Sequence, residues 1–366
     1  MEKKGASNML HMRGGTGSGS YNEFSKSLQS TVNGFFWPKL ALAIANTCKK
    51  FQPFADDGTA CFAIADFGCS CALNTINSMN FIAQSVAKQA SMLALGQAPK
   101  LDSPAKQRQF HVQAFFNDLP SNDFNTLFAL LSYSHGSATK AEFHFMPCGL
   151  PGSFYSSLFP GRYLHIGLCT LALHNLSQVP DAVQDPRSSA WNENGTWILE
   201  GCKPETAAAY KRQFAKDFTC FLRHRSQELV PGGLLFCVMI ASSIDGTSTS
   251  LPKRDHHQLQ TNLQIAWRQL VSEGLLEQES LDTFNMPLFT PTMDEVKEVT
   301  AAADAQTWGR TCEMMVRNFV GSLIQPHLGL AKFELLMERF RHLAAADDEV
   351  YRSSLMRLIV LALSRR

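Results

Sequence analysis

No apolar run approaches the roughly 18 residues that a membrane-spanning helix needs. A segment such as "SLMRLIVLAL" (354–363) is too short and predicts a packed helix or strand. The N-terminal charges of "MEKKGASNMLHMRGG" are not followed by an apolar core, so no signal peptide is expected. Charge of either sign is not in surplus: 33 basic residues face 32 acidic ones. That balance excludes non-specific attraction to nucleic acid or anionic lipid, and no nucleic-acid or membrane partner is expected. No CxxC pair occurs among the ten cysteines, the nearest pair being Cys69 and Cys71. A zinc ribbon or disulfide framework is therefore not indicated, and buried free thiols in a reducing, cytoplasmic setting are the better reading.

What is present is an ordinary globular composition, 45% hydrophobic and 18% charged, over 366 residues. Apolar stretches of strand length recur, bounded by Gly, Pro, Asn or Asp: 61–68, 110–120, 141–149, 162–168 and 232–241. Helix-length segments at 75–93 and 205–229 fall between several of them. Strands alternating with helices predict an α/β, Rossmann-like, mainly parallel sheet, with ligands at the carboxyl ends of the strands. Amphipathic patterns at 263–276 and 331–344 predict a helical cap over the site. The expected organisation is a core over 1–249, a mainly helical cap over 250–345 and a C-terminal element at 346–366 returning to the core. The run "GTGSGS" (15–20) reads as a mobile loop.

The stretch "AIADFGCSCALNT" (63–75) ends a strand on Asp66 and turns at Gly68. Such a turn is expected to aim backbone N–H groups at a ligand, to let it approach closely at Gly68, and to offer Asp66 to hydroxyls or an ammonium group. The G-x-G-x-x-G pattern of a dinucleotide site is missing, since Cys69, Ser70, Cys71 and Ala72 follow Gly68. A ligand without phosphates that carries its own amino group fits better than NAD. In "FFNDLPSNDFN" (115–125) a second strand ends on Asp118, whose carboxylate can accept both hydroxyls of a ribose. The plainer alternative is that both aspartates cap the following helix or turn.

Eight segments, in order, resemble the SABATH methyltransferases of plants: "LHMRGGTGSGSY" (10–21), "IADFGCS" with Asn74, "FNDLPSNDFNTLF" (116–128), "GLPGSFYSSLFP" (149–160), "LSQVP" (176–180), "ELVPGG" (228–233), "LVSEGL" (270–275) and "FNMPLFTPTMDEV" (284–296). The resemblance implies methyl transfer from S-adenosylmethionine, with S-adenosylhomocysteine as product, to a small-molecule acceptor, and a homodimer. It puts Tyr21 and Ser25 beside the sulfonium, Asp66, Cys69 and Asn74 around the methionine portion, Asp118 and Leu119 on the ribose, and Ser153 and Phe154 at the adenine. For the acceptor it implies Tyr21, Leu28, Gln29, Cys169, Thr170, Leu171, His174, Asn175, Leu259, Gln260, Phe289 and Val316. An optional magnesium ion is implied at Asp282, Phe284 and Asn285.

The sequence departs from the acid-methylating pattern at two clamps. Leu28 stands at a glutamine position, with Gln29 displaced by one, and Asn175 stands at a tryptophan position. A carboxylate oxygen remains the favoured acceptor on family grounds. Sulfur of a thiol or thioacid follows, with His174 as its candidate base, and then a heterocycle nitrogen held by Asn175 and Gln260. A non-catalytic cofactor-binding protein and a nicotinamide-dependent oxidoreductase are the remaining readings from other classes.

Overall fold

The computed structural model describes residues 12–18, 20–50, 59–95, 109–135, 143–198, 202–242, 257–303 and 358–365. Contacts divide the chain into two compact units. One comprises Met1–Leu173, Cys220–Val238 and Val360–Arg366, the other His174–Thr219 and Met239–Ile359.

The first unit is organised by a six-stranded sheet. Its strands are β1 (Thr59–Phe67), β2 (Gln109–Asp118), β3 (His144–Pro151), β4 (Leu164–Thr170), β5 (Leu229–Ile240) and β6 (Leu358–Ser364), in the order β3-β2-β1-β4-β5-β6. The pairs β1–β2, β1–β4, β2–β3 and β4–β5 are all parallel. Parallel strands covered on both faces need near-continuous apolar runs rather than alternation. Phe62, Ala63, Ile64, Ala65 and Phe67 of β1 are all buried, as are Leu234 to Met239 of β5. The strand order reverses direction between β1 and β4, and in open α/β sheets the carboxyl ends at such a switch point are where ligands bind.

Helix α1 (Tyr21–Cys48) begins at Ser20, whose hydroxyl accepts from the Glu23 N–H at 3.3 Å. It packs on α2 (Leu73–Leu95) through Trp37, stacked 4.8 Å from Phe81, and it reaches β5 where Phe36 meets Phe236. Helix α3 (Phe124–His135) follows β2. The glycine-rich run expected to be mobile is instead tied down within its described part. Gly15 N–H donates to Asp123 Oδ2 at 3.0 Å, Ser20 N–H to Gly17 O at 3.1 Å, and Tyr21 N–H to Arg13 O at 2.9 Å.

The second unit holds the first part of α4 (Pro204–Glu228), then α5 (His257–Ser272), α6 (Gln278–Asp282) and α7 (Met293–Ala303). The helical texture expected for 263–276 is met by α5 and the turn after it, whereas 331–344 lies outside the described residues. Trp197, Tyr210, Phe214, Phe218 and Phe289 are all buried in its core. No described helix is long and apolar enough to cross a membrane.

Candidate functional site

Asp66 and Asp118 lie at the carboxyl ends of the adjacent parallel strands β1 and β2. The intervening turn uses positive φ at Gly68 (77°) and Ser70 (56°), and so folds back toward β2. Gly68 and Cys69 both donate their N–H groups to Asn117 O, at 2.9 and 3.0 Å, and Ser70 donates to Asp118 Oδ2 at 2.6 Å. The sequence expectation that these N–H groups address a ligand is therefore corrected: the second strand end engages them. Gly68 is likewise needed for the protein itself. A Cβ there would lie 2.5 Å from Ala172 Cβ and 3.3 Å from the Phe154 ring, on a backbone that side chains rarely adopt.

Asp66 is only 3% exposed. Its Oδ2 accepts from Thr75 Oγ1 at 2.6 Å, while its Oδ1 is buried without a hydrogen-bond partner. Burial, with the nearby Asp118 charge adding to it against the Thr75 hydrogen bond, lifts this carboxyl to about 7. An unpartnered buried carboxylate oxygen is costly and is the feature that a bound ammonium group relieves. Asn74 Oδ1 is a second buried acceptor without a partner. Burial also raises the Tyr21 phenol, opposed by a hydrogen bond from Asn74, and the Asp66, Asp118 and Cys71 charges add to the rise. The structure thus brings Tyr21, Asp66, Asn74 and Asp118 into one electrostatic cluster.

Asp118 is held in place from two sides, since Leu119 N–H donates to its Oδ1 at 2.7 Å while Ser70 holds Oδ2. Asn122 Nδ2 ties the same turn down by donating to Ser70 O at 3.1 Å. Cys69 is buried, and burial raises its thiol well above the usual range, so it stays neutral. Ser25 is buried and donates its hydroxyl to Asn22 O at 3.1 Å, inside its own helix.

Ser153 and Phe154 sit in the loop after β3. Ser153 Oγ accepts from Tyr155 N–H at 3.3 Å, and the Phe154 ring lies edge-on to Phe221 at 5.9 Å. Cys169 and Thr170 end β4 in the same unit, and Leu171 follows them. Cys169 is fully buried, and Leu171, at φ 54°, donates its N–H to Val238 O at 2.7 Å. His174, Asn175 and Phe289 lie in the second unit. Phe289 N–H donates to His174 O at 2.8 Å, Asn175 bridges to Leu288, and the buried Phe289 ring stacks on Phe214 at 5.1 Å. The side chains of Leu28, Gln29, Leu259 and Gln260, and all of Val316, lie outside the described residues.

The magnesium set does not fit a cation. Asp282 Oδ1 accepts from Asn194 N–H at 3.0 Å and from Gln278 Nε2 at 2.9 Å. Asn285 Oδ1 accepts from Asn192 Nδ2 at 2.8 Å and from the Tyr210 hydroxyl at 3.4 Å. Phe284 is partly exposed and packs on Trp267 at 5.0 Å. Amide and hydroxyl donors thus occupy Asp282 Oδ1 and Asn285 Oδ1, two of the oxygens that a hard ion would take. Among the described residues no three His, Cys, Asp or Glu side chains converge as metal ligands.

Sequence reasoning missed Thr75, which sits in the first turn of α2, and the Arg225–Glu228 pair on α4. The pair carried a signal in retrospect: two opposite charges three residues apart on a face otherwise apolar at Phe221 and Leu222.

A sequence profile for SAM-dependent carboxyl methyltransferases matches residues 7–304. The chain is 29% identical to gibberellic acid methyltransferase 1 of Arabidopsis thaliana, covering 98% of this chain and 97% of that protein. It is 32% identical to indole-3-acetate O-methyltransferase 1 of Arabidopsis thaliana, over 88% and 86%. Among solved structures, a loganic acid methyltransferase with SAH superposes with a TM-score of 0.69 at 28% identity, over 97% of this chain and 98% of that one.

Proposed function

The chain belongs to the family of S-adenosylmethionine-dependent carboxyl methyltransferases, and from that premise we propose that it converts a small, largely apolar carboxylic acid to its methyl ester, with Asp66, Asp118 and Tyr21 holding the cofactor. The observation that carries the binding assignment is the buried Asp66 carboxyl with one oxygen unpartnered, beside the Asp118 carboxylate. S-adenosylmethionine supplies an electrophilic methyl group on a cationic sulfur when bound. Asp66 Oδ1 and Asn74 Oδ1 accept from its ammonium group, Asp118 accepts from the ribose hydroxyls, and Phe154 offers a ring face to the base. Tyr21 and Ser25 flank the sulfonium, with Cys69, Leu119 and Ser153 lining the remainder.

A carboxylate acceptor, with a pKa near ~4, is ionised at neutral pH and needs no general base. Its oxygen forms the new bond to carbon while the electrons of the broken bond stay on sulfur. The chain's own residues have to orient that oxygen and exclude water. Gibberellic acid, indole-3-acetate and loganic acid, the acids in the relatives' names, support an acid with an apolar ring system. A thiol or thioacid sulfur is the second reading, supported by Leu28 and Asn175 at the two clamp positions. His174 would then serve as base.

Labelled methyl transfer to a panel of ring-bearing acids, thioacids, thiols and xanthines tests the proposal, with products identified by mass spectrometry. Methyl esters are the expected products, and label found in thiols alone overturns the carboxylate reading. Buried free thiols at Cys48, Cys69, Cys169 and Cys237 support a reducing, cytoplasmic setting, and the family resemblance supports a homodimer. Cell fractionation and light scattering check these two points.

A further inference from the structure

Arg225 and Glu228 sit one turn apart at the end of α4, with side chains 0% and 2% exposed and 2.7 Å between Arg225 Nη2 and Glu228 Oε2. Neither serves the cluster at the strand ends directly. Both instead grip the main chain of the loop after β3. Arg225 Nη1 donates to Phe154 O at 2.8 Å and Nη2 to Ser156 O at 2.9 Å. Glu228 Oε1 accepts from Leu158 N–H at 2.7 Å, Phe159 N–H at 3.2 Å and Ser157 Oγ at 3.3 Å. The guanidinium also lies 4.4 Å over the Phe67 ring and 5.4 Å over the Phe221 ring, and Phe221 is one of two aromatic partners of Phe154, with Tyr155.

A buried ion pair is a poor device for stability alone, since apolar residues of similar volume usually serve as well or better. Here every side-chain hydrogen bond of the pair outside itself, among the described residues, goes to one irregular segment, residues 154–159, that no strand or long helix holds. We propose that Arg225 and Glu228 are positioning residues that fix this loop so that Phe154 is held ready for the adenine of the cofactor. The inference rests on the assignment of Phe154 to the base. Arg225 acts through a planar fork that spans two carbonyls, which lysine cannot reproduce.

The test uses the full chain and S-adenosylhomocysteine as the probe, by calorimetry, with thermal unfolding in parallel. F154A checks the underlying assignment and should weaken binding by about tenfold. R225M/E228Q removes the pair without stranding a buried charge, keeps an acceptor for the loop N–H groups, and should weaken binding by about tenfold while the chain still folds. In turnover, its KM for the cofactor should rise by a similar factor, with kcat at saturating cofactor and KM for the acceptor within about twofold of the parent. R225K keeps the charge beside Glu228 and should show an intermediate loss of about threefold, which carries the same reading if the double variant does not fold. If F154A weakens binding while folded R225M/E228Q or R225K binds as the parent does, the positioning role is overturned. If F154A binds normally, the assignment of Phe154 to the base is overturned, and the inference with it.

Discussion

Thr75 donates its hydroxyl to Asp66 Oδ2 at 2.6 Å, and that single contact leaves the opposite carboxyl oxygen buried and without a partner. The pair makes Asp66 a proton-sensitive group. Its ordinary value of 3.8 is raised to about 7 by burial. A raised carboxyl contributes stability that is fully present below its unfolded value and is lost as pH rises through about 7. A cation against Oδ1 favours the ionised form and reverses that preference. S-adenosylhomocysteine should therefore bind more tightly as pH rises from about 6 to about 8, with proton release on binding at the lower end. Calorimetry in buffers of different ionisation heat reads both quantities, and D66N should flatten the profile. An affinity that is level across that range in the parent chain would sink the assignment of Asp66.

Asp118 serves two backbone donors, Ser70 and Leu119, besides its proposed ligand. D118A should lower unfolding stability by about 1–3 kcal/mol, because both N–H groups lose their acceptor. It should also weaken S-adenosylhomocysteine binding by about tenfold or more through loss of the ribose contacts. D118N keeps one acceptor oxygen and should regain part of the stability with little of the binding. Urea unfolding and calorimetry separate the two effects.

Gly68 combines a left-handed backbone with a 2.5 Å approach to Ala172. G68A should destabilise the chain by about 2–4 kcal/mol, from the strained φ and the overlap together. Adding A172G removes the overlap alone, so the double variant should recover only part of the loss. Full recovery would show that the backbone angle costs nothing at this turn.

Asp123 caps α3 by accepting from Thr126 N–H at 2.9 Å and holds the glycine segment through Gly15. The two Thr126 hydrogen bonds keep its carboxyl below the ordinary range, so its contribution is present above the unfolded value and is lost as pH falls through the lowered one. D123A should cost about 1 kcal/mol of helix capping and speed tryptic cleavage after Arg13. Unchanged cleavage kinetics would mean that the segment is held elsewhere.

The hydrogen bonds at Asp282 Oδ1 and Asn285 Oδ1 engage two of the oxygens that a magnesium ion would use. Treatment with a strong chelator should leave S-adenosylhomocysteine affinity and methyl transfer unchanged. A loss of either that added magnesium restores would refute this reading of the donor set.

The runs at 61–68 and 232–241 could be assigned as strands because both faces are buried, so hydrophobicity is continuous and bounded by turn residues. Asp66 and Asp118 stood out for the same local reason: a charge that ends an apolar run marks the strand tip. The partners of the turn at Gly68 were not legible, because a glycine's freedom is visible in sequence, whereas the distant atoms beside it, Ala172, Phe154 and Asn117 O, are not. The grip of Arg225 on Phe154 and Ser156 was likewise invisible, since its partners lie 71 and 69 residues away.

By itself the sequence determined five of the six strands, that acidic side chains end two of them, and that basic and acidic residues are balanced, because each follows from local pattern and composition. The run at 354–363 was compatible with helix or strand. Only the tertiary structure decided that the turn N–H groups close on β2, that one oxygen of Asp66 is left unpartnered, and that a buried ion pair holds the Phe154 loop. These depend on which distant segments the sheet brings together and on the water that burial removes from around them.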